Sequence, residues 1–109
     1  MKVSSLVEQN IMSAVILPDP DREIDGVYVG DLLSWVMGRG FEDQAWITIM
    51  SNNNVIAVAS LIDFSCVILT EGVTFTPDLI ALAEQKGINV LSYEGTSYEA
   101  AVALYKVLS

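Results

Sequence analysis

Short apolar runs, separated by glycine, proline and acidic turns, alternate along the chain between strand-like and helix-like spacing. The β-branched stretch Ala14-Val15-Ile16-Leu17, cut off by Pro18 and Pro20, predicts a short strand at 14–17. Val27-Tyr28-Val29, residues 45–50 with Ile47, Thr48 and Ile49, the fully apolar run 65–69 and residues 89–92 predict four more. Helix signals fill the intervals. Residues 3–9 suit one or two turns, and Asp31 stands as an N-cap acid before an apolar helix over 32–37, with Gly38 and Gly40 behind it as stops. Ser51-Asn52-Asn53-Asn54 supplies cap-type residues for a helix over 55–61. Thr76-Pro77-Asp78 opens another helix, with Leu79, Leu82 and Ala83 as its apolar face and Gly87 at its end. Thr96-Ser97-Tyr98-Glu99 matches a capping box, after which Ala101, Val102 and Tyr105 keep helical spacing to Leu108.

This order predicts an α/β domain of two or three layers, built on a mixed, largely parallel sheet of about five short strands. Residues 45–69 form a βαβ unit whose crossover should be right-handed. The strands near 14–29 are free, on this pattern, to join either edge. With 109 residues and no internal linker or low-complexity tract, residues 1–109 are expected to form a single domain.

Composition narrows the function. Fourteen acidic against five basic side chains give a formal net charge of −9, which repels phosphate backbones and anionic lipid, so neither DNA, RNA nor a membrane surface is an expected partner. The absence of histidine removes a Ser-His-Asp triad and the commonest ligand for zinc, copper and nickel. A lone Cys66 has no disulfide or CxxC partner, which suits a reducing compartment. No apolar leader region follows Met1-Lys2, and no apolar run approaches the roughly 18 residues of a membrane span, so a cytoplasmic location is expected.

Candidate chemistry is sparse. Gly26, Gly30, Gly38 and Gly40 make neither GxGxxG nor a Walker A loop, and the acidic stretch 19–25 lacks the order of a calcium loop. Cys66, inside an apolar strand, reads as a small buried hydrophobe. No catalytic residue, metal site or cofactor is therefore assigned. A ligand surface is expected where strands hand over to helices. Thr48, Ser51, Asn52, Asn53 and Asn54 sit at one such place and Thr70, Glu71 and Gly72 at the next, each with plain capping or an exposed turn as the alternative. Helices 32–37 and 55–62 are apolar on nearly every side, which implies burial on two sides or a second chain. A homodimer interface through Leu33, Trp35, Val36, Met37, Val55, Ile56 and Val58 is expected, against the alternative that both helices are wedged inside one domain.

Val27-Tyr28-Val29-Gly30-Asp31-Leu32-Leu33-Ser34-Trp35-Val36-Met37-Gly38, Ala45-Trp46-Ile47-Thr48-Ile49 with Asn54-Val55-Ile56-Ala57-Val58-Ala59, and Val67-Ile68-Leu69-Thr70-Glu71-Gly72 together resemble the DRTGG domain. The resemblance implies a fold similar to the N-terminal domain of HPr kinase/phosphorylase and a regulatory, dimer-forming module of the kind found inside some phosphotransacetylases and between paired CBS modules in nucleotide-regulated pyrophosphatases. The literal pentapeptide is absent, since Asp21-Arg22 is followed by Glu23-Ile24-Asp25. A kinase label would not carry over, because no P-loop lies in these residues.

The leading expectation is a non-catalytic, homodimeric regulatory module that binds a small anionic metabolite or nucleotide and signals to a protein partner. An assembly module with no small ligand is the second reading. A small enzyme is the third, and would have to use Asp31, Asp63 or Glu71 as its acid or base.

Overall fold

Among the described residues, every strand is only three or four residues long. The computed structural model describes residues 1–108 in the order α1 (Val3–Glu8), β1 (Ser13–Ile16), β2 (Val27–Val29), α2 (Leu33–Arg39), β3 (Ala45–Thr48), α3 (Asn53–Ile62), β4 (Cys66–Leu69), α4 (Pro77–Gln85), β5 (Val90–Ser92) and α5 (Ser97–Leu108). The sheet order is β1-β5-β4-β3-β2, with β2, β3, β4 and β5 parallel and β1 antiparallel to β5. The two early strands that the pattern left free therefore take opposite edges.

Alternation along the central strands divides the core in two. Trp46, Val67, Leu69 and Val90 face α2, α3 and α4 through Val36, Val55, Ile56, Ala59, Leu79 and Ala83. Ala45, Ile47, Cys66, Ile68 and Leu91 face α1 and α5 through Val3, Leu6, Ala100 and Leu104. The result is the three-layer form of the expected mixed α/β fold. Burial on both faces explains why β3 and β4 read as continuous apolar runs.

Several caps form as the sequence implies. The Asn52 side chain accepts from Asn54 N–H at 3.0 Å, and Thr76 Oγ accepts from Leu79 N–H at 3.3 Å with Pro77 opening α4. At α5 both halves of the capping box are present, Thr96 N–H to Glu99 Oε1 at 2.9 Å and Glu99 N–H to Thr96 Oγ1 at 3.1 Å. Hydrogen bonds to the carboxyl from the Thr96 main-chain N–H, and secondarily from its side chain, hold Glu99 below its ordinary pKa.

Two local expectations are corrected. Asp31 does not cap α2, whose N-cap position is Leu32 without a side-chain bond. The Asp31 carboxylate turns instead to the end of β3, where Oδ1 accepts from Thr48 Oγ1 at 2.8 Å and Ile49 N–H at 2.9 Å. Asp31→Ala is expected to cost about 2 kcal/mol, because a buried hydroxyl and a main-chain donor both lose a charged acceptor. Asp31→Asn should retain most of that stability in a urea melt, and equal losses for the two variants would contradict this role. The second correction concerns Gly38, which does not stop α2. The helix runs on to Arg39 and ends at Gly40, where a Cβ would lie 2.6 Å from Phe64 Cζ and 2.9 Å from the Val36 carbonyl oxygen.

The expected interface set also divides. Val36, Val55, Ile56 and Val58 are buried within the chain's own core against the sheet, so these four cannot form a contact between folded copies. The α3 helix is apolar on several sides because it is wedged between the sheet and its neighbouring helices. Leu33 is half-buried, while Trp35 and Met37 remain exposed, with the Arg39 guanidinium 4.0 Å above the Trp35 ring.

Candidate functional site

The loops leaving the carboxyl ends of β4 and β5 diverge to opposite faces of the sheet. The first, 70–76, leads to α4 on the α2–α3 face, and the second, 93–96, leads to α5 on the α1 face. Open α/β sheets form ligand crevices at such a divergence, because the two departing chains leave a gap above the strand ends. Here the gap is a crevice of about 280 Å³ lined by Ser13, Leu69, Gly72, Val73, Thr74, Ser92, Tyr93, Glu94 and Gly95. Ser13 reaches it because antiparallel β1 begins at this end of the sheet and pairs with Ser92.

A set of bonds ties the two loops together beside the crevice. Glu71 N–H donates to the Gly95 carbonyl at 2.9 Å, and Glu71 Oε2 accepts from Ser97 N–H at 2.8 Å, at the amino end of α5. Beneath them the Thr70 and Ser97 hydroxyls lie 2.6 Å apart. The turn that aims Glu71 this way needs left-handed backbone at both Glu71 (φ 59°) and Gly72 (φ 78°), which glycine adopts freely and glutamate rarely. Gly95 is similarly constrained, since with φ 152° a Cβ would meet Tyr93 Cε2 at 2.8 Å and Glu99 Oε1 at 2.9 Å.

Of the sequence-predicted ligand residues, only Gly72 lines this crevice, with Thr70 and Glu71 forming its clasp. Ser51, Asn52, Asn53 and Asn54 are exposed at the start of α3, and Asn52 is occupied as a cap. Thr48 is fully buried with its hydroxyl engaged by Asp31 and Met50 N–H, so its expected ligand contact is corrected to a structural bond. Thr70 is likewise fully buried. Ser13, Thr74, Ser92, Tyr93, Glu94 and Gly95 carried no motif. The only prior signal for them was that 89–92 is a strand followed by Gly95 and a helix cap.

Charge around the crevice is negative. Glu94 lines it, Glu71 and Glu99 stand beside it, and no basic residue is in its wall. Arg22 lies at the other end of the strands, where it is held by Asp43 and Asp63, the residues just before β3 and β4. The Cys66 thiol is fully buried, and burial pushes its pKa up to about 12, which leaves it protonated and inert. Among the described residues, no cluster of three or more acidic, cysteine or histidine side chains is placed to hold a metal ion, and no helix is long and apolar enough to cross a membrane.

A search of curated proteins by sequence returned no match. A solved structure of the CBS and DRTGG domains of the regulatory region of Clostridium perfringens pyrophosphatase, complexed with its activator diadenosine tetraphosphate, superimposes with a TM-score of 0.68 at 16% identity. The match covers 94% of this chain and 45% of that one, so the chain spans under half of that protein's regulatory region. The sequence profile of the DRTGG domain matches residues 9–107. A likeness of fold to that structure agrees with the profile match over nearly the whole chain, which places this chain in the DRTGG domain family.

Proposed function

We propose that the chain is a non-catalytic regulatory module of the cytoplasm that works as a homodimer, takes a small ligand in the crevice between β4 and β5, and passes its occupancy to a protein partner. The observation that carries this reading is the clasped crevice at the sheet's divergence point. A molecule seated between 72–74 and 92–95 would touch both loops at once, and so could shift α4 and α5 on opposite faces of the sheet. At about 280 Å³ the crevice falls just below the usual range of ~300–1,000 Å³ for drug-sized ligands. It therefore suits a small metabolite or one nucleoside moiety.

The chemistry of the wall refines the ligand. Ser13, Thr74 and Ser92 offer hydroxyls, Tyr93 an aromatic ring and Glu94 an acceptor for a ribose hydroxyl or an amine. Phosphates would have to remain outside, away from the three carboxylates. The diadenosine tetraphosphate held by the Clostridium perfringens regulatory region makes adenine nucleotides the first ligands to try.

A thermal-shift titration with adenosine, AMP, ATP and diadenosine tetraphosphate tests this. Saturating ligand at about 100 times its Kd should stabilise the fold by ~2.7 kcal/mol. Thr74→Trp, which fills the crevice from an exposed position, should remove the shift and leave the unliganded melting temperature nearly unchanged. The absence of a shift with all four compounds would defeat the ligand part. The second reading, an assembly module without a small ligand, would then stand, as the acidic wall favours.

A further inference from the structure

We infer that Glu71 sets the ligand class of the crevice between β4 and β5. Its carboxylate fills the anion position at the amino end of α5, so that the crevice accepts an unphosphorylated nucleoside and turns away its phosphates. The inference rests on the crevice reading above and deepens it, by naming the residue that chooses among ligands and the class it refuses.

In folds of this kind a phosphate is held at the amino end of a helix that follows a strand, because the first amides have no partner within the helix and point at the ligand. In α5 the ladder begins with Ala100 N–H to the Thr96 carbonyl at 3.0 Å, which leaves the amides of residues 96–99 to find other acceptors. Three of these four are taken by the chain itself. Thr96 N–H donates to Glu99 Oε1 and Glu99 N–H to Thr96 Oγ1, both within the cap. Ser97 N–H instead donates to Glu71 Oε2 at 2.8 Å, on a residue 26 positions earlier. Glu71 thus reaches over from the β4 loop and puts a carboxylate oxygen where a phosphate oxygen would otherwise sit. By contrast, α3 and α4 are capped by the neutral side chains of Asn52 and Thr76 at their own first turns.

The local backbone holds Glu71 in this place. It stands in left-handed conformation at φ 59°, where glycine would be the easier residue, and its N–H is fixed to the Gly95 carbonyl at 2.9 Å. The hydroxyl of fully buried Thr70 lies 2.6 Å from that of Ser97, so the start of α5 is anchored to the β4 loop independently of the carboxylate. Nothing in the crevice wall offsets a phosphate's charge. Among the described residues, the wall holds no lysine or arginine and adds one further carboxylate, Glu94. A phosphate would therefore meet like charge with no cation to balance it. An uncharged nucleoside meets the opposite, the Tyr93 ring for its base and the hydroxyls of Ser13, Thr74 and Ser92, with Glu94, for its ribose.

Titration calorimetry with adenosine and AMP on the full chain, together with amide spectra in inorganic phosphate, tests this on wild type, Glu71→Gly and Glu71→Gln. Glycine suits φ 59° and leaves the Thr70 and Thr96 anchors in place, whereas glutamine keeps an acceptor for Ser97 N–H and removes only the charge. Wild type should bind AMP about tenfold more weakly than adenosine, since like charges at a contact are penalised. Glu71→Gly should close most of that gap, and its Ser97 amide should shift saturably with inorganic phosphate while the wild-type amide stays still. Glu71→Gln should narrow the gap without gaining the phosphate response. Equal wild-type affinity for adenosine and AMP, or a Glu71→Gly chain that keeps the gap or shows no response to phosphate, would overturn the role of Glu71 alone. A wild type that binds neither compound would overturn the crevice reading, and the nucleoside class with it.

Discussion

Trp46→Ala is expected to destabilise the fold by about 4 kcal/mol, the usual scale for removing a fully buried tryptophan. On a domain of this size that corresponds to a fall in melting temperature of roughly 15–30 °C. Trp46 is the largest fully buried side chain and packs its ring 5.4 Å from that of Phe64 on the α2–α4 face of the sheet. Its indole N–H also donates to the Gly30 carbonyl at 2.9 Å, which fixes the point where β2 ends and the chain turns toward α2. Two losses therefore add, a cavity beneath α2 and α3 and an unbonded carbonyl at the edge strand. Trp46→Phe keeps most of the volume and should lose only about 1–2 kcal/mol. A thermal melt of the two variants checks the division. Equal losses would mean that the ring's bulk contributes little, contrary to the packing described.

The second large effect is at Arg22. Its guanidinium donates from Nε and Nη2 to Asp43 Oδ1 at 3.2 and 2.8 Å, from Nη1 to Asp63 Oδ1 at 2.9 Å, and from Nη2 to the Asp63 carbonyl at 2.6 Å. Burial pulls the Arg22 pKa down, but the hydrogen bonds and charges of both aspartates outweigh it and hold the group above its ordinary value. Both aspartates have left-handed backbone, with φ 67° at Asp43 and 69° at Asp63, so one cation braces two strained turns that feed β3 and β4. Arg22→Leu removes three acceptors' partner and leaves two carboxylates facing each other. Breaking a fully buried pair costs about 3–5 kcal/mol, but these carboxylates are 45% and 60% exposed, so water screening should reduce the loss to about 2 kcal/mol. Arg22→Lys should recover only part of it, since an ammonium cannot reproduce the planar fork. Full recovery in a denaturant melt would show that charge alone, without the fork geometry, holds the turns.

Where local chemistry alone sets a feature, the residues announced it. Thr96 and Glu99 form the box that their spacing implies, Thr76 and Pro77 open α4, and Gly87 has the φ of 72° that a helix stop requires. The family, too, was legible in the strings around Gly30-Asp31, Asn54-Val55 and Thr70-Glu71-Gly72, which all lie inside the matched region. What depended on tertiary placement was not. The crevice exists because α4 and α5 return on opposite faces, and nothing in the cap of either helix states its face. The three asparagines mark the end of β3, but the chain diverges one strand further along. Asp31 has the composition of a cap and the position of one, yet the closeness of β3 gives it a better use. Val36, Val55, Ile56 and Val58 look alike whether a helix is wedged in a monomer or docked on a partner, because both situations demand apolar side chains all round. Arg22 shows the same limit in reverse, since the two aspartates that hold it are 21 and 41 residues away.

The most direct test of the regulatory reading is an amide chemical-shift titration of the full chain with adenosine and AMP. Binding in the crevice predicts saturable shifts concentrated in residues 70–74 and 92–97, reaching α4 and α5, with 51–54 nearly still. Shifts centred on 51–54, or no saturable shift at either segment, would contradict it.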